Sequence, residues 1–463
     1  MSKTKRSSFG GQIGFVLAAA GSAVGLGNIW RFPYLVAKNN GGLFILIYII
    51  LALTFGFALL TTEIAIGRKT KQSPLTAYGK INKKFTGIGT LATLVPIIIL
   101  PYYCTIGGWV LKYFTEFVTG NGFGAAADGY FSGFVSEPVQ PIILTVIYLA
   151  ITSTVVFCGV NKGIEKMSKI LMPILLVLII GISVYSLTLS FTDADGITRT
   201  GLQGLKVYLV PNFDNITFKD FIITLMDAMG QLFFSISVAM GIMVAYGSYV
   251  EDKTNLIKSI NQIEIFDTVV ALLAGLMIVP AVYVFTGMEG MSSGPSLIFT
   301  SLPSVFKNMG SIGNFIGVTF FLMVIFAAIT SSVSVMEAIV SSIMDKFHFS
   351  RKKSTVLVTV YALVGGIIVC LGYNLLYFEL KLPNGTVAQI LDVFDYISNN
   401  VLMPLVALLT CILIGWVAKP KTVIDEVTKN GEKFGRKTLY VVMIKFVVPL
   451  LISFLLLQAF GIF

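Results

Sequence analysis

The chain has 463 residues, of which 56% are apolar and only 12% charged, and its mean hydropathy is +0.87. A soluble domain carries about 25% charged residues and a disordered chain has low hydrophobicity, so both are excluded, and a soluble enzyme with them. The net charge of +10 suggests a nucleic-acid partner until the basic residues are placed along the chain; they describe a membrane topology instead, and no nucleic acid is expected.

A membrane-crossing helix needs about 20 mainly apolar residues. Eleven stretches qualify: 12–36, 42–67, 87–118, 141–158, 163–187, 220–250, 256–286, 313–344, 355–373, 386–418 and 436–461. With the N-terminus inside, 24 of the 33 Lys and Arg fall in inner segments. Six fall outside (Lys38, Arg199, Lys206, Lys219, Lys307 and Lys381), and Arg31, Lys112 and Lys445 fall within spans. Cytoplasmic loops carry such an excess, and eleven crossings put the C-terminus outside. The basic N-terminus lacks a small-residue cleavage site, so the first stretch reads as a retained span. Cys104, Cys158, Cys370 and Cys411 make no spaced pair, so neither a disulfide framework nor a zinc site is expected. No linker divides the chain, and 1–463 reads as one domain.

The first stretch contains GSAVGLGNIWRFP, Gly21 to Pro33. Each glycine there weakens a helix by about 1 kcal/mol relative to alanine, so a break is expected; close packing through small residues is the other reading. Glu63, toward the inner end of the second stretch, reads as a structural hydrogen-bonding group. Lys112 and Glu116, four apart near an outer end, read as a local ion pair. The sixth stretch holds SISVAMG, Ser235 to Gly241, near its middle, a weaker break signal. Asp267 lies at mid-depth in the seventh, where a charge costs about 2.5–3.5 kcal/mol by insertion scales; it is a cation ligand or a hydrogen-bonded core carboxyl. Pro295 to Phe306, in an outer loop, is a helix dipping into a vestibule or a surface helix. The eighth stretch carries a hydroxyl cluster, Thr330, Ser331, Ser332 and Ser334, which ligates an ion or bonds neighbouring helices, and Glu337, for which the sequence names no partner. Asp392 and Asp395 begin the tenth stretch on the same side as Arg31, and Arg6 and Asp345 share the opposite side. Two such pairs bracket the centre as gates would, or anchor the interfaces.

The two interrupted stretches correspond if stretches one to five and six to ten are repeats. Five is odd, so the second repeat is inverted, and interrupted helices at matching places in inverted repeats point to a transporter's central site. Freed carbonyls there suit hard cations, and freed helix N-termini suit a carboxylate.

The segments GSAVGLGNIWRFPY with NGGLFILIY (Asn40 to Tyr48), GQLFFSISVAMG (Gly230 to Gly241), YGSYV (Tyr246 to Val250), Thr330-Ser331-Ser332 and LDVFD (Leu391 to Asp395) together resemble the neurotransmitter:sodium symporter family, in order and over nearly the whole chain. Eleven spans place it nearer the family's bacterial branch, which includes a transporter of multiple hydrophobic amino acids. The resemblance implies an all-α integral membrane protein of LeuT-type fold: a 5+5 inverted repeat (12–187 and 220–418) with discontinuous helices one and six, and an eleventh helix at 436–461. It also implies two sodium ions. The first would be held by the Ala23 carbonyl, Asn28, Ser235, Asp267 and the substrate carboxylate. The second would be held by the carbonyls of Gly21, Val24 and Ala327 and the hydroxyls of Thr330 and Ser331. Oxygen ligands of this kind suit a hard cation. The implied substrate pocket comprises Ser22, Ala23, Leu26, Gly27, Ile99, Tyr103, Phe234, Ser235, Ser237, Met240, Ser331 and Val335, with Tyr103 bonding the substrate carboxylate and Phe234 as a lid. Arg31 with Asp395 and Arg6 with Asp345 are the implied outer and inner gates. The Gly163-to-Pro173 spacing looks like the family's unwinding motif in span five.

Family members that carry biogenic amines have Asp at the position of Gly25. Glycine there implies a substrate that brings its own carboxylate, and Ile99 with Met240 leaves room for a hydrophobic or aromatic side chain. Asp267 departs from the family's commoner Asn and implies transport without chloride. The expected protein is therefore a sodium-coupled amino acid importer in a bacterial cytoplasmic membrane, surrounded by lipid and not an enzyme. The rivals are an ion channel, a proton-coupled transporter of the same fold using Asp267 or Glu63, and an intramembrane hydrolase. The last lacks a histidine at depth, since His348, the only one, falls in an inner loop.

Overall fold

The computed structural model describes residues 7–193, 196–211, 213, 216–287, 290–291 and 294–462. These are almost entirely helical; the described strands form two short antiparallel hairpins, Ser190–Thr192 with Thr198–Thr200 and Leu380–Lys381 with Val387–Ala388. With so few polar residues to spare, backbone amides and carbonyls find partners within each helix, which is what a hydrocarbon surround demands.

Among the described residues, nine uninterrupted helical runs are long and apolar enough to cross a membrane: Gly42–Thr70, Lys83–Val118, Gln140–Phe157, Val160–Leu187, Leu256–Thr286, Ser311–Phe347, Arg351–Leu371, Ile390–Val417 and Lys437–Ala459. A tenth span is the pair Gln12–Ala23 and Gly27–Lys38, bent by 54° at its break. The sixth expected stretch does not qualify as a span by the same measure. It is two helices, Phe218–Ser235 and Ile242–Ser248. The first carries Lys219, Asp220 and Asp227, and the second is only 7 residues long. Ten spans thus stand on length and apolarity, against the eleven expected.

The longest helices are Thr86–Val118, 33 residues, and Ser311–Phe347, 37 residues. At 1.5 Å per residue each exceeds the roughly 30 Å hydrocarbon core, so each tilts or projects beyond it. They pack against one another at the heart of the molecule. Gln140–Phe157, Val160–Leu187 and Lys437–Ala459 present most of their apolar surface outward. The Gly163–Pro173 segment is wound throughout, as a π-helical turn Val160–Glu165 running into helix Lys166–Leu187.

The Pro295–Phe306 stretch is helical from Leu297 onward, with Ser296 and Thr300 exposed and its apolar face turned inward. Leu297, Ile298, Phe299, Leu302 and Phe306 are buried. Phe299 packs on Trp109, Tyr113 and Phe131, and Phe306 on Phe117. Lys112 and Glu116 pair at 2.6 Å. Glu337 has partners after all: Arg351 Nη1 at 2.7 Å and Nη2 at 2.9 Å, and the Tyr249 hydroxyl at 2.6 Å.

Candidate functional site

The site is built where two helices stop. Helix Gln12–Ala23 ends at Val24, whose ψ of 96° is extended, and winding resumes as a π-helical turn at Gly27–Arg31. Facing it, Phe218–Ser235 ends before Ile236–Gly241, where Ser237 (φ 53°), Ala239 (φ 62°) and Gly241 (φ 74°) are all left-handed. Left-handed backbone at a non-glycine residue costs on the order of 1–3 kcal/mol and persists only where the surroundings over-determine it. Glu63 supplies part of that determination: its Oε1 accepts the Ala239 N–H at 2.7 Å. The two breaks are sewn together. The Ser237 hydroxyl donates to the Ser22 carbonyl at 2.9 Å, and the Ser22 hydroxyl to Ser237 Oγ at 3.2 Å. Gln231 Nε2 donates to the Gly27 carbonyl at 3.1 Å.

On one side of the breaks is a cluster around Asp267, which is fully buried. Its oxygens accept from Asn28 Nδ2 at 2.9 Å, from the Ser235 hydroxyl at 2.8 Å and from the Tyr48 hydroxyl at 3.4 Å. All three donors are neutral, and among the described residues no Lys or Arg pairs with this carboxylate. A buried charge is costly unless a counter-charge meets it. The oxygen-rich, cation-free setting therefore fits a bound cation.

On the other side the hydroxyl cluster meets the first break. The Ser331 hydroxyl donates to the carbonyls of Ser22 at 3.1 Å and Val24 at 3.3 Å. The Thr330 hydroxyl lies 3.1 Å from the Ala327 carbonyl, and a Cβ on Gly21 would come within 3.3 Å of Thr330 Cβ. Gly21, Val24, Ala327, Thr330 and Ser331 thus share one neighbourhood. Ser332 turns away and bonds Tyr148 and Thr152 at 3.1 and 3.0 Å, and Ser334 bonds the Tyr246 hydroxyl at 2.7 Å. These two hold helices together.

Between the clusters lies a small cavity of about 20 Å³, lined by Ser22, Ala23, Gly25, Ile99, Tyr103, Phe234, Ser237, Met240, Ile242, Ser331 and Val335. Three residues expected in the pocket stand off its wall. The Leu26 amide donates to the Tyr103 hydroxyl at 3.5 Å, Gly27 lies against the Phe234 ring, and Ser235 belongs to the Asp267 cluster. A side chain at Gly25 would reach Ser331 Oγ at 2.7 Å and Tyr103 Oη at 3.2 Å, so glycine keeps that end of the cavity clear.

Arg31 and Asp395 make no direct ion pair among the described residues. Asp395 instead accepts from Asn399 at 2.6 Å and Tyr102 at 3.3 Å, with the Arg31 charge still acting on it. Arg31 lines a larger hollow with Lys38, Asp227, Asn399 and Gln458. Of the inner pair, Arg6 lies outside the described residues, and Asp345 accepts the Ser73 amide at 2.6 Å. Tyr48, Gln231 and Ile242 were not singled out from the sequence. A tyrosine hydroxyl or glutamine amide at mid-depth needs a polar partner, and that signal could have drawn attention to the first two.

The Sodium:neurotransmitter symporter family model matches residues 6–123 and 135–462. The chain is 34% identical over 469 aligned residues to the uncharacterized sodium-dependent transporter YhdH of Bacillus subtilis, spanning 100% of this chain and 99% of that protein. It is 25% identical to the sodium- and chloride-dependent GABA transporter 2 of Homo sapiens, over 91% of this chain and 75% of that one. The crystal structure of MhsT in complex with L-phenylalanine aligns with a TM-score of 0.85 at 32% identity, covering 98% of this chain and 100% of that chain.

Proposed function

Because the chain belongs to the sodium:neurotransmitter symporter family, we propose that it imports a hydrophobic or aromatic L-amino acid together with sodium, by alternating access. Family membership carries sodium-coupled transport and a multi-pass membrane location. The observation that carries the rest is the cavity at the two helix breaks, apolar on one side and flanked by the counter-charge-free Asp267 on the other.

The substrate ammonium would take the freed backbone carbonyls beside Ser22 and Ser237. Its carboxylate would meet the Tyr103 hydroxyl across the space that Gly25 keeps open. Ile99, Met240, Ile242 and Val335 would enclose the side chain; Met adapts to several shapes. The likeness to MhsT with bound L-phenylalanine supports an amino acid of this class. Sodium, as co-substrate, would bind at Ala23, Asn28, Ser235 and Asp267, and a second ion at Gly21, Val24, Ala327, Thr330 and Ser331. Each charge moving through 100 mV supplies about 2.3 kcal/mol, so two ions supply about 4.6, enough for roughly thousandfold accumulation. The Asp267 carboxylate would replace the charge of chloride. Arg31 with Asp395 and Arg6 with Asp345 would close the two ends in turn.

The chain would cross the cytoplasmic membrane of a bacterium eleven times as one domain with its N-terminus inside, with 12–187 and 220–418 as inverted repeats and 436–461 as the last helix. The Lys and Arg distribution supports that orientation.

The test is a thermal-shift panel of the twenty amino acids in sodium or potassium chloride, since a ligand that prefers the folded state raises its melting temperature. Stabilisation by apolar and aromatic amino acids in sodium alone is expected, and it should persist with gluconate in place of chloride. Equal shifts in potassium, or none for any amino acid, reject the proposal.

A further inference from the structure

Between helices Gln140–Phe157 and Arg351–Leu371 the membrane-facing surface carries a groove of about 290 Å³. It is separate from the central cavity, and its wall includes Ser153, Phe157, Thr355, Val356, Thr359 and Val360. Phe157, Val356 and Val360 are about half exposed, as expected of residues that face lipid tails.

Three features distinguish it from ordinary lipid-facing surface. First, Thr355 is only 2% exposed, yet its hydroxyl has no partner among the described residues. The other hydroxyls that line the groove are bonded: Thr359 donates to Ser153 at 2.9 Å, and Thr154 to the Ala150 carbonyl at 2.7 Å. A buried hydroxyl left unbonded is costly, and an acceptor brought into the groove would remove that cost. Second, an exposed cation stands at the groove's end. Lys352 Nζ lies 5.8 Å from the centroid of the Phe157 ring and makes no ion pair among the described residues. Third, helix Arg351–Leu371 opens with Arg351, Lys352 and Lys353 and has no acidic residue in its first turn. Cations are unfavourable at the positive end of a helix dipole. Arg351 is matched by Glu337 and Lys353 lies 3.7 Å from the centroid of the Phe349 ring, but among the described residues no carboxylate pairs with Lys352.

We propose that this groove binds an anionic phospholipid from the leaflet on the basic side of the membrane. The phosphate sits by Lys352 and the first-turn amides. An ester carbonyl accepts the Thr355 hydroxyl, and one acyl chain runs along Phe157, Val356 and Val360.

The probe is phosphatidylglycerol set against phosphatidylcholine, added in equal amounts to the purified full chain in detergent. Retained lipid is counted by native mass spectrometry. Preferential retention of phosphatidylglycerol is expected. A lysine near an anionic lipid surface is worth about 1 kcal/mol, so Lys352→Gln should reduce that preference roughly fivefold. Thr355→Val, which is nearly isosteric, should also reduce phosphatidylglycerol retention. Lys381→Gln, at the far hairpin, should leave it unchanged. Equal retention of the two lipids by the native chain overturns the proposal, as does phosphatidylglycerol retention unchanged in either groove variant. A dimer that dissociates on Phe157→Ala assigns the groove to a second copy of the chain and also overturns it.

Discussion

Asp267 shows how much one side chain decides. Three neutral donors orient its carboxylate, and among the described residues no cationic side chain answers it. If sodium is the missing charge, Asp267→Asn removes the anion while keeping a similar shape. Sodium should then stabilise the variant at least tenfold more weakly, with partial recovery when chloride is present. Sodium titrations of the melting temperature in chloride and in gluconate check this, and an unchanged sodium midpoint removes Asp267 from the ligand set. The residue was legible from the sequence because a carboxylate at mid-depth needs a reason. Its partner Tyr48 was not singled out: its hydroxyl at mid-depth calls for a polar partner, but the sequence does not say which.

Among the elements, the second break depends on a remote one. Glu63, in helix Phe57–Thr70, accepts the Ala239 amide within a run of left-handed residues. Glu63→Ala leaves that amide unpaired and should cost about 1–3 kcal/mol, lowering the melting temperature. Glu63→Gln keeps an acceptor and should restore most of the loss; equal losses in both variants would show that the amide bond is not what matters.

A second tie joins the loop after Ile242–Ser248 to helix Lys421–Val427 and the turn that follows it. Asp252 pairs with Lys71 at 2.9 Å and Lys429 at 2.8 Å, and beneath it Arg68 bonds Glu426. Hydrogen bonds from Lys429 and Lys71 hold the Asp252 carboxyl down at about 2, against an ordinary value of 3.8. A carboxyl lowered on folding stabilises the protein above its unfolded value and loses that contribution as pH falls toward the folded one. Asp252→Asn should therefore melt slightly lower than the native chain at pH 5–7, the gap narrowing between about pH 4 and pH 2. The side chain is about half exposed, so the effect is small. Melting curves across that range measure it, and a gap independent of pH excludes the two lysines as its cause.

Over the whole molecule, the basic residues predict which loops face which side. In a Cys158→Ser background, a cysteine at Lys84 or Lys353 should react with an impermeant thiol reagent only from the cytoplasm, and one at Arg199 or Lys381 only from outside. Labelling of all four from one side would refute eleven crossings with an internal N-terminus. The span count shows where composition stops being informative. Phe218–Ser235 carries three charged residues and Ile242–Ser248 is short, so together they fail an apolarity test even though both pack into the centre. Such a pair is stable because protein, not lipid, surrounds its freed backbone groups.

Ten of the apolar spans and the first break were legible in the sequence, because hydrocarbon thickness and the helix cost of glycine act locally along a chain. Tertiary structure alone decided that Glu337 meets Arg351, that Ser332 and Ser334 face neighbouring helices while Ser331 faces the break, and that Arg31 stands apart from Asp395. Those outcomes depend on which residues distant in the chain are brought together, and side-chain hydrogen bonds form only over about 3 Å, a distance that no spacing along one helix can specify.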